Sequence, residues 1–383
     1  MTRRSLIVLV LLGCSHATVL WPGENAHGES IQKQSSLEYL TFDSNTPSQA
    51  IIVSGLPLIY TRQFLALDEQ GHIVGQADPD TQIERVLNDL ESVLKEANSS
   101  LDRLVRVNIC ALSHEVASRM AAELHKRLAP EVKPALTIVL TPLPHREALV
   151  AIDAVAAANQ SAGPTETVQL VNSDAIGGDA TCADFAVLPT SGVAYLSGQP
   201  ERGSLAASAV MESLSKLVKT LEQLNLGPAD IVQVKVFLTP ATSAADALEE
   251  VKRMFADQLT PPVVFVEWIA SVPVEIELVA QLHDQGQASR GLEFYDPPEV
   301  RPSTVFSRVA LVRADRQVFI SGLSAREEGD GESQVRDVFA QLKEILGETQ
   351  SSMKHLAKAT YFVSDDDASR MLTKLRPEYL DPT

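Results

Sequence analysis

Three segments of this chain carry one helical pattern in matching phase: ERVLNDLESVLKEA (84–97), MESLSKLVKTLEQL (211–224) and VRDVFAQLKEILGE (335–348). Leu87, Leu214 and Phe339 correspond, as do Leu90, Leu217 and Leu342, and then Leu94, Leu221 and Leu346. The i, i+3, i+7 spacing places each trio on one core-facing stripe. The period of about 125 residues is that of a domain, far longer than a solenoid repeat. The chain is therefore expected to fold as three copies of one unit.

Each helix leads into an apolar run: DRLVRVNICAL, ADIVQVKVFLT and KHLAKATYFVS. Alternation in VQVKVFL predicts a strand with one face on the helices. A second helix follows, clearest where SHEVASRMAAEL (113–124) and SDDDASRMLTKL (364–375) share ASRM. Ser113 and Ser364 are the expected N-caps, with acidic residues behind them favouring the positive helix end. Two copies then close with a strand, a turn and another strand, ending in VAIDAVA and VEIELVA; the third stops before that hairpin. Each unit reads as α+β, a mixed sheet with two helices on one face. The units span 48–158, 181–282 and 302–383, the last without its closing hairpin, joined by polar linkers at 159–180 and 283–301. Residues 18–47 form a polar lead-in.

The first 17 residues contain Arg3 and Arg4 followed by a short apolar run, as a secretory signal does. Leu11-Leu12-Gly13-Cys14-Ser15 matches a lipobox, which would make Cys14 a lipidation site and membrane anchor. Cleavage after Ser15-His16-Ala17, giving a soluble exported protein, stays open, as does a cytoplasmic protein with a misassigned start. With 32 basic against 50 acidic residues the net charge is -18, the wrong sign for gathering phosphates, so nucleic acid is not an expected partner. Three cysteines give neither a disulfide framework nor a C-x-x-C pair, and no metal or cofactor motif occurs.

VAYLSGQP (193–200) ends a strand on Ser197-Gly198-Gln199, and QVFISGLS (317–324) ends one on Ser321-Gly322. Taken alone, Ser-Gly at a strand end reads as a turn in which glycine permits φ > 0. Taken with the helix, the DIVQVKVFL strand and the VEIELVA strand in order, the unit resembles the RidA family, also called YjgF or endoribonuclease L-PSP. That resemblance implies a chorismate mutase-like fold, a trimer with ligand clefts between subunits, here an intrachain pseudo-trimer, and cofactor-free hydrolysis of enamines and imines to keto acids and ammonia.

The resemblance also implies a pocket. Ser197, Gly198 and Gln199, Thr61 of Thr61-Arg62-Gln63, and Ser321 with Gly322 form its first wall, and Glu277 is the catalytic acid–base, with Asp153 at its position in the first unit. The family's carboxylate-binding arginine is replaced by Leu136 after Pro134-Ala135 and by Val263 after Pro261-Pro262. A 2-imino acid's carboxylate would then lack a charged partner, unless Arg62 or Arg146 is displaced into that role. The expected function is small-metabolite binding with deamination weak or lost. A deaminase with altered substrate and a non-catalytic interaction protein are the alternatives. Glu275 and Glu277 also fit a plain solvated strand face, and His114 and His125 fit an exposed helix face. The third unit, lacking its hairpin, is expected to expose a sheet edge and self-associate.

Overall fold

A computed structural model describes residues 8–14, 36–41, 49–159, 166–202, 208–256, 258–283, 291–299, 303 and 305–380. The chain begins with β1 (Val8–Cys14), β2 (Ser36–Leu40) and β3 (Ala50–Ser54). Next come β4 (Leu58–Thr61), β5 (Phe64–Leu65), α1 (Pro79–Glu96), β6 (Leu104–Ala111), α2 (His114–Arg127), β7 (Ala135–Leu140) and β8 (Val150–Ala157). The second unit continues with β9 (Gln169–Val171), β10 (Phe185–Leu188), β11 (Val193–Glu201), α3 (Ser208–Gln223), β12 (Ile231–Leu238), α4 (Ala244–Met254), β13 (Val263–Glu267) and β14 (Val274–Gln281). The chain finishes with β15 (Leu292–Tyr295), β16 (Val309–Val312), β17 (Arg316–Leu323), α5 (Gly331–Glu348), β18 (Leu356–Phe362) and α6 (Asp366–Tyr379).

The three apolar trios each sit in their own core. Leu87, Leu90 and Leu94 pack over the first sheet, Leu214, Leu217 and Leu221 over the second, and Phe339, Leu342 and Leu346 over the third. Ser113 caps α2 by accepting from Val116 N. In α6 the cap falls one residue past Ser364, on Asp365, which accepts from Ala368 N, while Asp367 accepts from Gly331 N. These aspartates hold helix ends together.

The sheets run β7-β6-β8-β4-β10-β9, β13-β12-β14-β11-β16-β15 and β18-β1-β17-β3-β2. One order repeats three times, and it redraws the expected boundaries. β10 leaves β11 to pair with β4 of the first sheet, β16 leaves β17 to pair with β11 of the second, and β3 leaves β4 to pair with β17 of the third. The two expected linkers contribute edge strands, β9 and β15, and the lead-in contributes β2. Residues 15–35, including the Ser15-His16-Ala17 cleavage site, lie outside the described residues.

The third sheet is also not missing its closing strand. β1 lies antiparallel between β17 and β18, the slot that β8 and β14 fill in the other two sheets. Only the parallel outer strand, β7 or β13 elsewhere, has no counterpart on β18 among the described residues.

The inner faces of the three sheets meet in one shared core of Tyr60, Val105, Val155, Tyr195, Val232, Val279 and Phe319 with their neighbours. Tyr60 and Tyr195 share a hydrogen bond there at 3.3 Å. Above it lies a small polar chamber lined by Arg106, Asn108, Asp153, Lys235, Glu277 and Lys358.

Candidate functional site

Cyclic packing creates three seams between units, each placing the end of one unit's inner strand against the next unit. Two are closed by hydrogen bonds across the seam. At the first, Gln63 N donates to Val263 O at 3.0 Å and Gln63 Nε2 to Phe265 O at 2.9 Å, while Thr61 O accepts from Gln233 Nε2. At another, Leu136 N donates to Ser321 Oγ at 3.2 Å. In both, the parallel outer strand of one unit, β13 or β7, fills the seam. Thr61, Val263, Ser321 and Gly322 therefore belong to closed seams.

The seam between the second and third units stays open, because β18 has no such strand beside it among the described residues. It forms a cleft of about 550 Å³ lined on one side by Ser197, Gly198, Glu275 and Glu277 and on the other by β18 and Arg376. Phe306 and Arg308, just before β16, form a third wall. A bulge interrupts the pairing of β11 with β14 between Leu196 and Gln199, and Ser197 N donates to Arg308 O at 2.8 Å. The bulge turns the strand end toward the cleft.

Gly198 is not at positive φ. Its absent Cβ answers a close approach, since a methyl there would stand 1.7 Å from Glu275 Oε1. Gly198→Ala is expected to push the Glu275 carboxyl out of place and to weaken ligand binding in the cleft at least ~10-fold, read by calorimetric titration against the parent chain. Gln199 is turned away, with its side chain donating to Glu201 Oε1 and its carbonyl accepting from Ser213 on α3.

The two glutamates of β14 share a strand face but not a setting. Glu277 Oε2 accepts from Lys358 Nζ at 2.8 Å, both side chains being mostly buried. Register pairs Glu277 with Lys235 as it pairs Asp153 with Asn108, whose Nδ2 donates to Asp153 Oδ2 at 2.7 Å. Asp153 and Glu277 are thus counterparts, as the sequence implied, but both serve the central chamber. Glu275 makes no such pair. Burial, then the charge of Glu277, pushes its carboxyl up to about 7, with Arg308 pulling the other way.

The cleft also holds unanswered polar groups. Ser197 Oγ, Trp268 Nε1, Arg308 Nε, Tyr361 Oη and Arg376 Nε are buried without hydrogen-bond partners. Such groups cost stability unless something accepts from them. The Arg308 and Arg376 guanidiniums lie 5.3 and 5.8 Å from the Phe306 ring centroid, and Arg376 lies 5.7 Å from that of Tyr361. Burial pushes the Tyr361 phenol up to about 12, keeping its proton available for donation.

The structure brings together Ser197, Gly198 and Glu277 but adds Glu275, Arg308, Tyr361 and Arg376. The expected displaced cations lie elsewhere: Arg62 pairs with Asp184, and Arg146 is exposed. His114 and His125 are exposed on α2. Alternation alone could not separate Glu275 from Glu277, and nothing in the residues around Arg308 marked it. Register across the sheets puts Ala151 and Val8 at the Glu275 position in the first and third units, so only the open cleft carries this carboxylate.

Residues 45–158 match the family model described as Endoribonuclease L-PSP. The first unit belongs to the endoribonuclease L-PSP family. The L-PSP match reaches back across β3, the strand that the first unit lends to the third sheet. Solved structures similar to the chain include yeast YEO7, at 24% identity with a TM-score of 0.25, covering 33% of this chain and 98% of that one. YyfB from Yersinia pestis, a protein of unknown function of the conserved Rid protein family, is similar at 26% identity and TM-score 0.25, covering 29% and 85%. A YjgF family member from Neisseria meningitidis is similar at 19% identity and TM-score 0.25, covering 33% and 98%. No curated protein matches the chain.

Proposed function

We propose that this chain is a RidA-like protein that binds a small metabolite in one working cleft, between its second and third units, with deamination of 2-imino acids there weak. The observation that carries this reading is the set of buried, unpartnered donors around Glu275. A small molecule offering acceptors to Ser197, Tyr361 and the two arginines would satisfy them together. Turnover is expected to be weak because the outer strand that would carry the carboxylate-holding arginine bears Leu136 and Val263 in the two closed seams and has no counterpart beside β18 among the described residues.

A specific feature favours a second reading, an active imine or enamine deaminase with an altered pose. Glu275 titrates near neutrality, as a group that takes and returns a proton should. Arg308 lies beside it and could hold a substrate carboxylate from the opposite wall.

Ammonia release from 2-iminopropanoate generated in situ separates the two. The binding reading expects turnover at least ~100-fold below that of an active family member, which corresponds to about 3 kcal/mol of lost transition-state stabilisation. Comparable turnover that disappears in Glu275→Gln would establish the second reading instead. Self-association is a further proposal, because the outer edge of β18 is open to a parallel strand as β6 and β12 are to β7 and β13. A strand from another chain would then displace the metabolite from the cleft.

A further inference from the structure

The apolar run near the start of the chain has two incompatible uses. As an export signal it would be removed or lipidated; as β1 it is the strand joining β17 to β18. We infer that Val8–Cys14 is kept in the working protein as the closing strand of the third sheet, so that this unit is completed by the opposite end of the chain.

The slot between β17 and β18 has a counterpart in each of the other sheets. In the first sheet it is filled by β8, whose eight residues VAIDAVAA are all buried, and in the second by β14, which is buried along most of its length. A strand covered on both faces and paired on both edges must be nearly continuous in apolar residues. VLVLLGC has that composition and carries no charge. Its seven residues extend roughly 23 Å at the usual rise per residue, the length of a central strand.

Register supports the same placement. Leu11, Leu12 and Gly13 stand opposite Ile320, Phe319 and Val318 of β17, and Leu9 to Leu12 stand opposite Tyr361 to Lys358 of β18. Val10 thereby occupies the position of Asp153 and Glu277 in the other sheets, and Leu12 that of Val155 and Val279. Both pairings are antiparallel, as for β8 and β14. The feature that reads as a signal core and the feature that fits a buried central strand are the same string of residues.

The consequence for β17 and β18 is direct. Without β1, each would present an unpaired row of N–H and C=O groups next to the other, and Ile320, Phe319 and Val318 would keep only β3 as a neighbouring strand. β18 lines the ligand cleft, so removal of the segment would also loosen one of its walls.

Hydrogen exchange on the full chain reads this, together with the intact mass of the protein from the cells that make it. The expected result is an uncleaved, unlipidated N-terminal segment, with backbone amides of 316–323 and 356–362 protected as strongly as those of 193–201 and 231–238. In Leu11→Pro, which cannot donate to the ladder, protection of 316–323 and 356–362 should fall at least ~100-fold while the second sheet stays within ~3-fold. A mature chain beginning at or after Cys14, a diacylated Cys14, or edge-like exchange of β17 and β18 in the unaltered chain would overturn the inference. So would unchanged protection in Leu11→Pro. If that variant does not fold, the measurements on the unaltered chain decide.

Discussion

Glu277→Ala is expected to lower the unfolding free energy by about 3 kcal/mol, because it leaves the mostly buried Lys358 ammonium without its carboxylate. Arg106 and Lys235 line the same chamber, so the deletion leaves positive charge facing positive charge. Burial already lowers the Lys235 ammonium's proton affinity, with Arg106 and Lys358 adding to that effect and Asp153 and Glu277 opposing it. The double variant Glu277→Leu with Lys358→Met should recover most of the loss, since replacing both partners removes the unpaired charge. Denaturant unfolding of the parent, single and double variants measures this. A single variant as stable as the parent would show that the pair does not hold the polar chamber together, and would return Glu277 to candidacy as a reacting group.

Glu275→Gln should do the reverse above neutral pH. The folded chain holds the Glu275 proton more tightly than the unfolded chain, with a value of about 7 against 4.5. The stability this contributes is complete below about pH 4.5 and is lost as pH rises through about 7. Glutamine keeps the neutral shape at every pH, so the variant should pull ahead of the parent by on the order of 3 kcal/mol between pH 4.5 and 8. It should also lose the pH dependence of ligand binding in the cleft. Paired unfolding curves at pH 5 and pH 8 give the answer. Parallel behaviour of the two chains would mean that the carboxyl is solvated and its environment unremarkable. A gain in stability on losing the carboxyl is the trade expected of a group kept for proposed proton transfer and not for stability.

The two glutamates also mark where the sequence stops being informative. VEIELVA puts both on one strand face, and period-two alternation says no more than that. Which of them meets a cleft depends on the bulge at Ser197-Gly198 and on the absence of an outer strand on β18 among the described residues, neither of which is a property of β14. The helices were legible because their stripe positions repeat three times, and each trio lies in the core it implied. Strand partners were not legible. An apolar run announces a strand and its buried face but not its neighbours, so the transfers of β3, β10 and β16 to adjoining sheets left no mark in the residues themselves. Gly198 shows the same limit on a smaller scale. Its presence was visible, but its reason is a carboxylate contributed by a strand about 77 residues away.

One of the three seams is expected to bind a small molecule. Calorimetric titration with pyruvate, a stable carboxylate-bearing probe, tests it most directly. One equivalent should bind per chain, lost in Arg308→Ala and retained in Gln63→Ala, which alters only a closed seam. Two or three equivalents, no binding by the parent chain, or one equivalent indifferent to Arg308→Ala would contradict it.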